Sequence, residues 1–188
     1  MKILNTKEIM AEIYGMIGRK KSCLLITPFI DLDNTFIDKL MLPNTKIHII
    51  YRSKQNDESI TKIKELEAKL TNIKFFDADN LHAKIYLSSD KIILATMNLY
   101  DYSSRHNFEL GVAFNYNENC FHCKNIIEET YNFLSINKLN PSRILLAELY
   151  NIRHCKECGE WIEETKPEKY KYCDNCAENW RQKNDTKH

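Results

Sequence analysis

Leu81-His82-Ala83-Lys84-Ile85-Tyr86-Leu87, followed across Ser88-Ser89-Asp90 by Lys91-Ile92-Ile93-Leu94-Ala95-Thr96, is the segment around which the fold is organised. Both runs are short, apolar and rich in β-branched or aromatic residues, and the polar Ser-Ser-Asp between them is a turn, so the pair is expected to form a β-hairpin. Alternation along a strand sets His82, Lys84 and Tyr86 on one face and Ala83, Ile85 and Leu87 on the other. The antiparallel return brings Ala95-Thr96-Met97-Asn98-Leu99 back toward the start of the first strand, where Asn98 can lie beside His82. Downstream, Phe108 to Asn115 reads as one more strand and carries Glu109.

This set of side chains suits attack on phosphorus. Imidazole serves near neutral pH as a nucleophile or a proton carrier. The Lys84 ammonium and the Asn98 amide can donate to non-bridging phosphate oxygens, where charge accumulates, and each such preorganised donor is typically worth about 2.7–4 kcal/mol. Glu109 can hold the His82 ring in the required tautomer, as the acid of a catalytic triad does.

Working outward, Ile9, Met10, Ile13 and Ile17 recur at helical spacing after Thr6, which is placed to cap the helix, and Gly18 is placed to end it. Cys23 to Thr27, halted by Pro28, and Lys46 to Tyr51 read as buried strands. Asp57 opens a helix with Ile60, Ile63, Leu66 and Leu70 on one side, and Ile73 to Phe76 is a further strand. Alternating helices and strands favour a layered α/β domain with a largely parallel sheet. A helix over Ile126 to Leu134 follows the Glu109 strand, and Asn140-Pro141 supplies a cap and first-turn proline for another helix reaching Tyr150.

His82-Ala83-Lys84, then Asn98, then Asn107-Phe108-Glu109-Leu110-Gly111-Val112 resembles the phospholipase D-like superfamily, whose signature is His-x-Lys, an acidic turn and a small-residue pair ahead of Asn. The resemblance implies a mixed sheet flanked by helices over residues 1–140. It also implies a phosphodiesterase in which His82, Lys84, Asn98 and Glu109 are catalytic and Lys84, Thr96 and Asn98 hold substrate. Here Ser89 occupies the acidic turn position, Asp90 comes one place late, and Ala95-Thr96 replaces Gly-Ser, with Thr96 keeping the hydroxyl. The family's chemistry needs two histidines, and the chain has one motif. A homodimer with a shared active site is therefore implied, one His82 attacking phosphorus and the other protonating the leaving oxygen, with no catalytic metal. The competing view is that His82 and Lys84 are the solvated face of an edge strand, where charge deters aggregation.

Residues 141–188 form a second unit, a linker helix followed by a cysteine module. Cys155-Lys156-Glu157-Cys158-Gly159 and Cys173-Asp174-Asn175-Cys176 are two Cys-x-x-Cys knuckles fourteen residues apart, with Trp161, Pro167, Tyr170 and Tyr172 between them. Four thiolates at this spacing suit a tetrahedral structural Zn2+, one per chain. The module resembles a zinc ribbon in which Gly159 permits the tight turn, and a segment so poor in aliphatic residues depends on the metal to fold. Cys120-Phe121-His122-Cys123 is a further Cys/His cluster, read either as small buried residues at a helix start or as a second metal site. Cys23 is a packing residue.

The whole chain of 188 residues has 27 Lys+Arg against 26 Asp+Glu, so no whole-molecule field draws in nucleic acid or anionic lipid, and a polyanion must be gripped locally. Lys54, Lys62, Lys64, Lys69, Lys84 and Arg105 are candidates for such a groove. Between Asn151 and His188 the charges balance, eight basic and eight acidic, so the cysteine module is no basic clamp; Trp161 and Trp180 offer stacking surfaces, and a protein partner is the other option. Scattered charges at the start, and no long apolar run, are unlike a signal peptide or a membrane span, so the protein is expected in the cytoplasm. The leading expectation is a nuclease acting on DNA or RNA. The alternatives are a binding adaptor that works through the zinc ribbon, and a phospholipid or nucleotide phosphodiesterase.

Overall fold

The computed structural model describes residues 1–18, 22–31, 34–41, 46–53, 57–100, 107–117, 120–153, 155–158, 160, 162 and 171–178. Lys54, Arg105, Gly159, Trp161, Pro167, Tyr170 and Trp180 lie outside the described residues. The chain divides into two compact units, Met1–Glu129 and Thr130–His188.

The first unit is built on a seven-stranded sheet. Its strands are β1 (Lys2–Asn5), β2 (Cys23–Ile26), β4 (Ile47–Arg52), β5 (Ile73–Ala78), β6 (Ile85–Ser88), β7 (Lys91–Ala95) and β9 (Leu110–Asn115), in the spatial order β1-β9-β7-β6-β2-β4-β5. A separate parallel pair joins β3 (Ile30–Asp31) to β8 (Leu99–Tyr100). The helices are α1 (Thr6–Gly18), α2 (Asn34–Leu40), α3 (Asp57–Lys69), α4 (Phe121–Ile136) and, in the second unit, α5 (Asn140–Tyr150).

The sheet is mixed, as the resemblance implies, and not largely parallel as the alternation of helices and strands alone suggests. Only β2-β4-β5 run parallel; the hairpin β6–β7 inserts antiparallel beside β2, and β9 and β1 continue the antiparallel half. β6 lies between β7 and β2, inside the sheet, so the strand that His82 and Lys84 lead into is not an edge strand.

The central strands are buried on both faces, with Leu24, Ile26, Ile50, Leu87 and Ile92 on one and the largest cluster on the other. Leu4, Leu25, Ile49, Phe75, Tyr86, Ile93 and Ala113 alternate inward there and meet Ile9, Ile13, Met16 and Ile17 of α1. Each Leu, Ile, Met or Phe among them contributes about 1.5–3 kcal/mol on full burial. Gly111 permits this contact: a Cβ there would stand 3.0 Å from the Ile9 side chain and 3.1 Å from the Leu94 carbonyl. Cys23 is fully buried in β2, as its apolar neighbours indicated.

Two helix starts differ from expectation. Asn5, not Thr6, caps α1. Its Oδ1 accepts the Glu8 N–H at 3.1 Å while Glu8 Oε2 accepts the Asn5 N–H at 3.0 Å, a reciprocal capping box that frees the Thr6 hydroxyl. At α5 the cap position belongs to Leu139, with no side-chain bond, and Asn140 is already helical; its Oδ1 accepts from Arg143 Nη1 at 3.2 Å.

Within the second unit, Arg143 is a tie the sequence did not flag. It is 5% exposed, its guanidinium lies 4.8 Å from the Tyr131 ring centroid, and Nη2 reaches Glu160 Oε1 at 3.4 Å. Among the described residues no helix is long and apolar enough to cross a membrane.

Candidate functional site

The register brings four chain segments of the first unit to one end of the sheet. Ile26 closes β2 opposite Ile85, which opens β6; Ala95 closes β7 opposite Gly111, near the opening of β9. Thr27, His82–Lys84, Thr96–Asn98 and Asn107–Glu109 therefore all emerge at the carboxyl ends of the parallel strands, where open α/β sheets place their ligand sites.

His82 lies outside the strand expected for it. β6 begins at Ile85, and residues 81–84 run in from β5 after a turn in which Asn80 takes a left-handed backbone (φ 54). Leu81, 2% exposed, anchors this segment, and His82 next to it is exposed. The ladder extends one step beyond the strand, since the Lys84 carbonyl accepts the Ala95 N–H at 3.1 Å. Lys84 is half-buried. Burial holds its ammonium below the ordinary lysine range, and the Glu109 carboxylate opposes that shift.

Glu109 is the centre of the cluster. At 6% exposure its carboxylate needs partners, and two side chains supply them. The Thr96 hydroxyl donates to Oε2, and Asn107 Nδ2 donates to Oε1 at 3.2 Å. Its backbone is fixed as well, because the Glu109 N–H donates to Thr6 Oγ1 at 2.9 Å and that hydroxyl reaches back to the Asn107 carbonyl at 3.2 Å. The expected Glu109–His82 contact is not made within one chain: both carboxylate oxygens face Thr96 and Asn107, and His82 has no hydrogen-bond partner among the described residues.

Asn98 is held from both sides. The buried Tyr86 phenol donates to the Met97 carbonyl at 2.6 Å, and the Leu99 N–H donates to Thr27 Oγ1 at 3.2 Å while Leu99 pairs with Ile30. Clamped between these neighbours, Asn98 keeps its Oδ1 buried with no partner among the described residues. An unsatisfied buried amide oxygen costs about 1–3 kcal/mol, so its position is one that a donor group of a ligand or a second protein would relieve.

Sequence reasoning gave Thr6 to a helix cap, Thr27 to a strand end and Asn107 to a motif, and missed that all three brace this cluster. Thr27 is fully buried, and its hydroxyl donates to the Phe29 carbonyl at 3.1 Å besides accepting from Leu99. A threonine at the end of a buried strand, just before proline, was the available signal. Of the lysines suggested for a groove, Lys62, Lys64 and Lys69 stand on α3 beside Glu65 and Glu67.

The second unit holds a separate centre. The Sγ atoms of Cys155, Cys158, Cys173 and Cys176 all lie within 4.8 Å of one another, and the Cys158–Cys173 separation is 3.6 Å. A tetrahedral zinc with Zn–S of about 2.3 Å needs S–S edges near 3.8 Å, so this donor set fits such an ion. Backbone bonds fix the knuckles: the Cys155 N–H donates to Glu160 O at 2.7 Å, and the Lys156 N–H to Lys171 O at 2.9 Å. Burial opposes ionisation of Cys155, but N–H groups of Cys158, Cys173 and Glu157 outweigh it and bring the thiol down to about 6.

No family model matches the sequence, and no curated protein matches it. Solved structures do. A phospholipase D family member, Nuc from Salmonella typhimurium, aligns over 70% of this chain and 93% of its own at a TM-score of 0.56 and 11% identity. NucT from Helicobacter pylori aligns over 70% of this chain and 98% of its own, with a TM-score of 0.51 and 14% identity. Phosphatidylserine synthase from Haemophilus influenzae covers 72% of this chain with 38% of its own, at a TM-score of 0.53 and 15% identity. At these identities the likeness is one of fold, and that fold is the phospholipase D type.

Proposed function

We propose that this protein is a homodimeric phospholipase D-like nuclease of the cytoplasm that hydrolyses phosphodiester bonds of DNA or RNA through a phosphohistidine. The observation that carries this reading is the convergence of Lys84, Thr96, Asn98 and Glu109, with the His82 segment, at one end of a phospholipase D-type sheet. His82 of one protomer attacks phosphorus, forming a P–N bond as the P–O bond to the leaving group breaks. His82 of the second protomer gives its proton to the departing oxygen, then takes a proton from the water that cleaves the P–N bond. Lys84 and the Asn98 amide donate to the non-bridging oxygens. Glu109, with Thr96, holds the charge of Lys84 beside the reacting centre.

A second copy also suits the β1–β9 edge of the opposite sheet face. Ile3, Val112, Leu94 and Ile85 form one cross-strand row on the side opposite Leu4, Gly111 and Ala113. Ile3 is 68% exposed, and Leu110, next to Glu109, is 47% exposed. An apolar patch adjoining a site that carries one histidine favours a second protomer as its cover. The four cysteines hold a structural zinc that folds the second unit, which is a candidate surface for nucleic acid or a protein partner.

The test is cleavage of single- and double-stranded oligonucleotides, without added magnesium, by wild type and His82→Ala. Wild-type cleavage that survives mild magnesium chelation and disappears in the variant supports the proposal; equal cleavage by both overturns it. A phospholipid assayed beside the oligonucleotides decides the substrate class. Sedimentation of wild type and Leu110→Lys tests the dimer, which the variant should weaken.

A further inference from the structure

Cys120-Phe121-His122-Cys123 belongs neither to the Glu109 cluster nor to the four-sulfur centre. Cys120 stands immediately before the first residue of α4, and Cys123 lies within the first turn. The Cys120 carbonyl accepts the Lys124 N–H at 3.1 Å, the opening bond of the helix, and the Cys120 N–H is fixed on the Asn117 carbonyl at 3.0 Å. Cys120 is thus the cap residue, and its sulfur takes the place of a capping oxygen: the Cys123 N–H donates to Cys120 Sγ at 3.4 Å. The bond from the Cys123 N–H holds the Cys120 sulfur over the residue that carries the second thiol. The two cysteines differ in access to solvent. Cys123 is fully buried and Cys120 is half-exposed.

A metal needs more donors than this pair offers. Among the described residues the group of three or more ligand side chains is the one at Cys155, Cys158, Cys173 and Cys176, and it does not include this segment. His122 instead sets its ring against Phe114 and Phe121, at 6.5 and 5.8 Å between centroids. Two cysteines three residues apart at a helix start, one half-exposed with its sulfur on the other's N–H and the other buried, have the arrangement of an exchanging dithiol.

We propose that Cys120 and Cys123 form a reversible disulfide by exchange with a low-molecular-weight disulfide of the glutathione class. Cys120 Sγ, as thiolate, attacks one sulfur of the incoming disulfide; a mixed disulfide forms, and the other sulfur leaves as a thiolate that takes up a proton. Cys123 then loses its thiol proton to solvent and attacks Cys120 Sγ, closing the Cys120–Cys123 bond and expelling the second small thiol. The two cysteines lose two electrons, which reduce the external disulfide to two thiols. The order of events follows from the environment. The Cys123 thiol and N–H hold the Cys120 thiol below its ordinary range, whereas burial pushes Cys123 up to about 11.

The experiment uses the full-length, zinc-loaded protein in graded ratios of oxidised to reduced glutathione, quenched in acid, alkylated and digested. The peptide spanning both cysteines should appear two hydrogens lighter at oxidising ratios and return to the dithiol with dithiothreitol. In the reduced native protein Cys120 should alkylate at least about tenfold faster than Cys123, and Cys123→Ser should accumulate a glutathione adduct on Cys120. The proposal is overturned if the wild-type peptide stays fully alkylatable at every ratio, if the adduct on Cys120 is never resolved in the wild type, or if zinc analysis finds a second ion on these residues. The wild-type measurement decides the matter whatever the stability of the variant.

Discussion

The Thr96 hydroxyl donates to the Glu109 carboxylate while accepting the Leu110 N–H at 3.1 Å, so one side chain both closes the β7–β9 ladder and satisfies a buried acid. On the proposed mechanism, stability and function meet at this pair. Thr96→Val keeps the shape but leaves Glu109 Oε2 without its donor, which is expected to cost about 1–3 kcal/mol in a urea melt. Thr96→Ser should recover most of the loss.

His82 offers the contrasting case. It is exposed and makes no hydrogen bond among the described residues, so His82→Ala should leave the unfolding free energy from a urea melt within about 0.5 kcal/mol of wild type. Cleavage, on the proposed mechanism, should fall by at least about a thousandfold. A parallel loss of stability and activity would mean that the residue is structural.

Tyr86→Phe separates positioning from chemistry. The phenol touches no solvent, yet its bond to the Met97 carbonyl sets the residue before Asn98. Its loss is expected to destabilise the protein by about 1–3 kcal/mol and, by shifting Asn98, to lower kcat by up to roughly a hundredfold with little change in KM.

Glu8 supplies a pH signature. Its bonds to the Asn5 N–H and to Lys2 hold the carboxyl below its ordinary value. A carboxyl depressed in the folded state contributes stability above the unfolded value of about 4.3, and loses it as pH falls through the folded value. The stability difference between wild type and Glu8→Gln should therefore be largest near neutrality and vanish in acid. Denaturant melts at pH 7 and pH 3 measure it.

For the four-cysteine centre, one zinc per chain by elemental analysis is the expected stoichiometry, falling well below one in Cys173→Ser. A strong chelator should expose the region around 155–176 to protease while the first unit keeps its melt. Zinc-free protein with an unchanged protease map would remove the metal's structural role.

Much of the candidate site could be read along the chain because its groups sit in short ordered motifs. His82-x-Lys84, Asn98 and Glu109 are each recognisable by neighbours one or two residues away, and the paired Cys-x-x-Cys knuckles announced their convergence by spacing alone. What bound these groups together was not visible. Thr27 reaches Leu99 across 72 positions and Thr6 reaches Glu109 across 103, and no local pattern signals such pairs. β1 escaped notice because only Leu4 of its four residues is buried, and β3 and β8 because two-residue strands carry no periodicity.

By itself, then, the sequence determined the hairpin, the helical faces, the order of the reactive side chains and the four-sulfur set, since each follows from spacing within a few residues or from chemistry that a thiol or imidazole carries wherever it is placed. Only the tertiary structure decided where β6 stands in the strand order, that Glu109 faces Thr96 and Asn107, and that Cys120 caps a helix over Cys123. Those outcomes depend on which strands pair and in which direction, and pairing is settled by burying apolar faces from distant segments together.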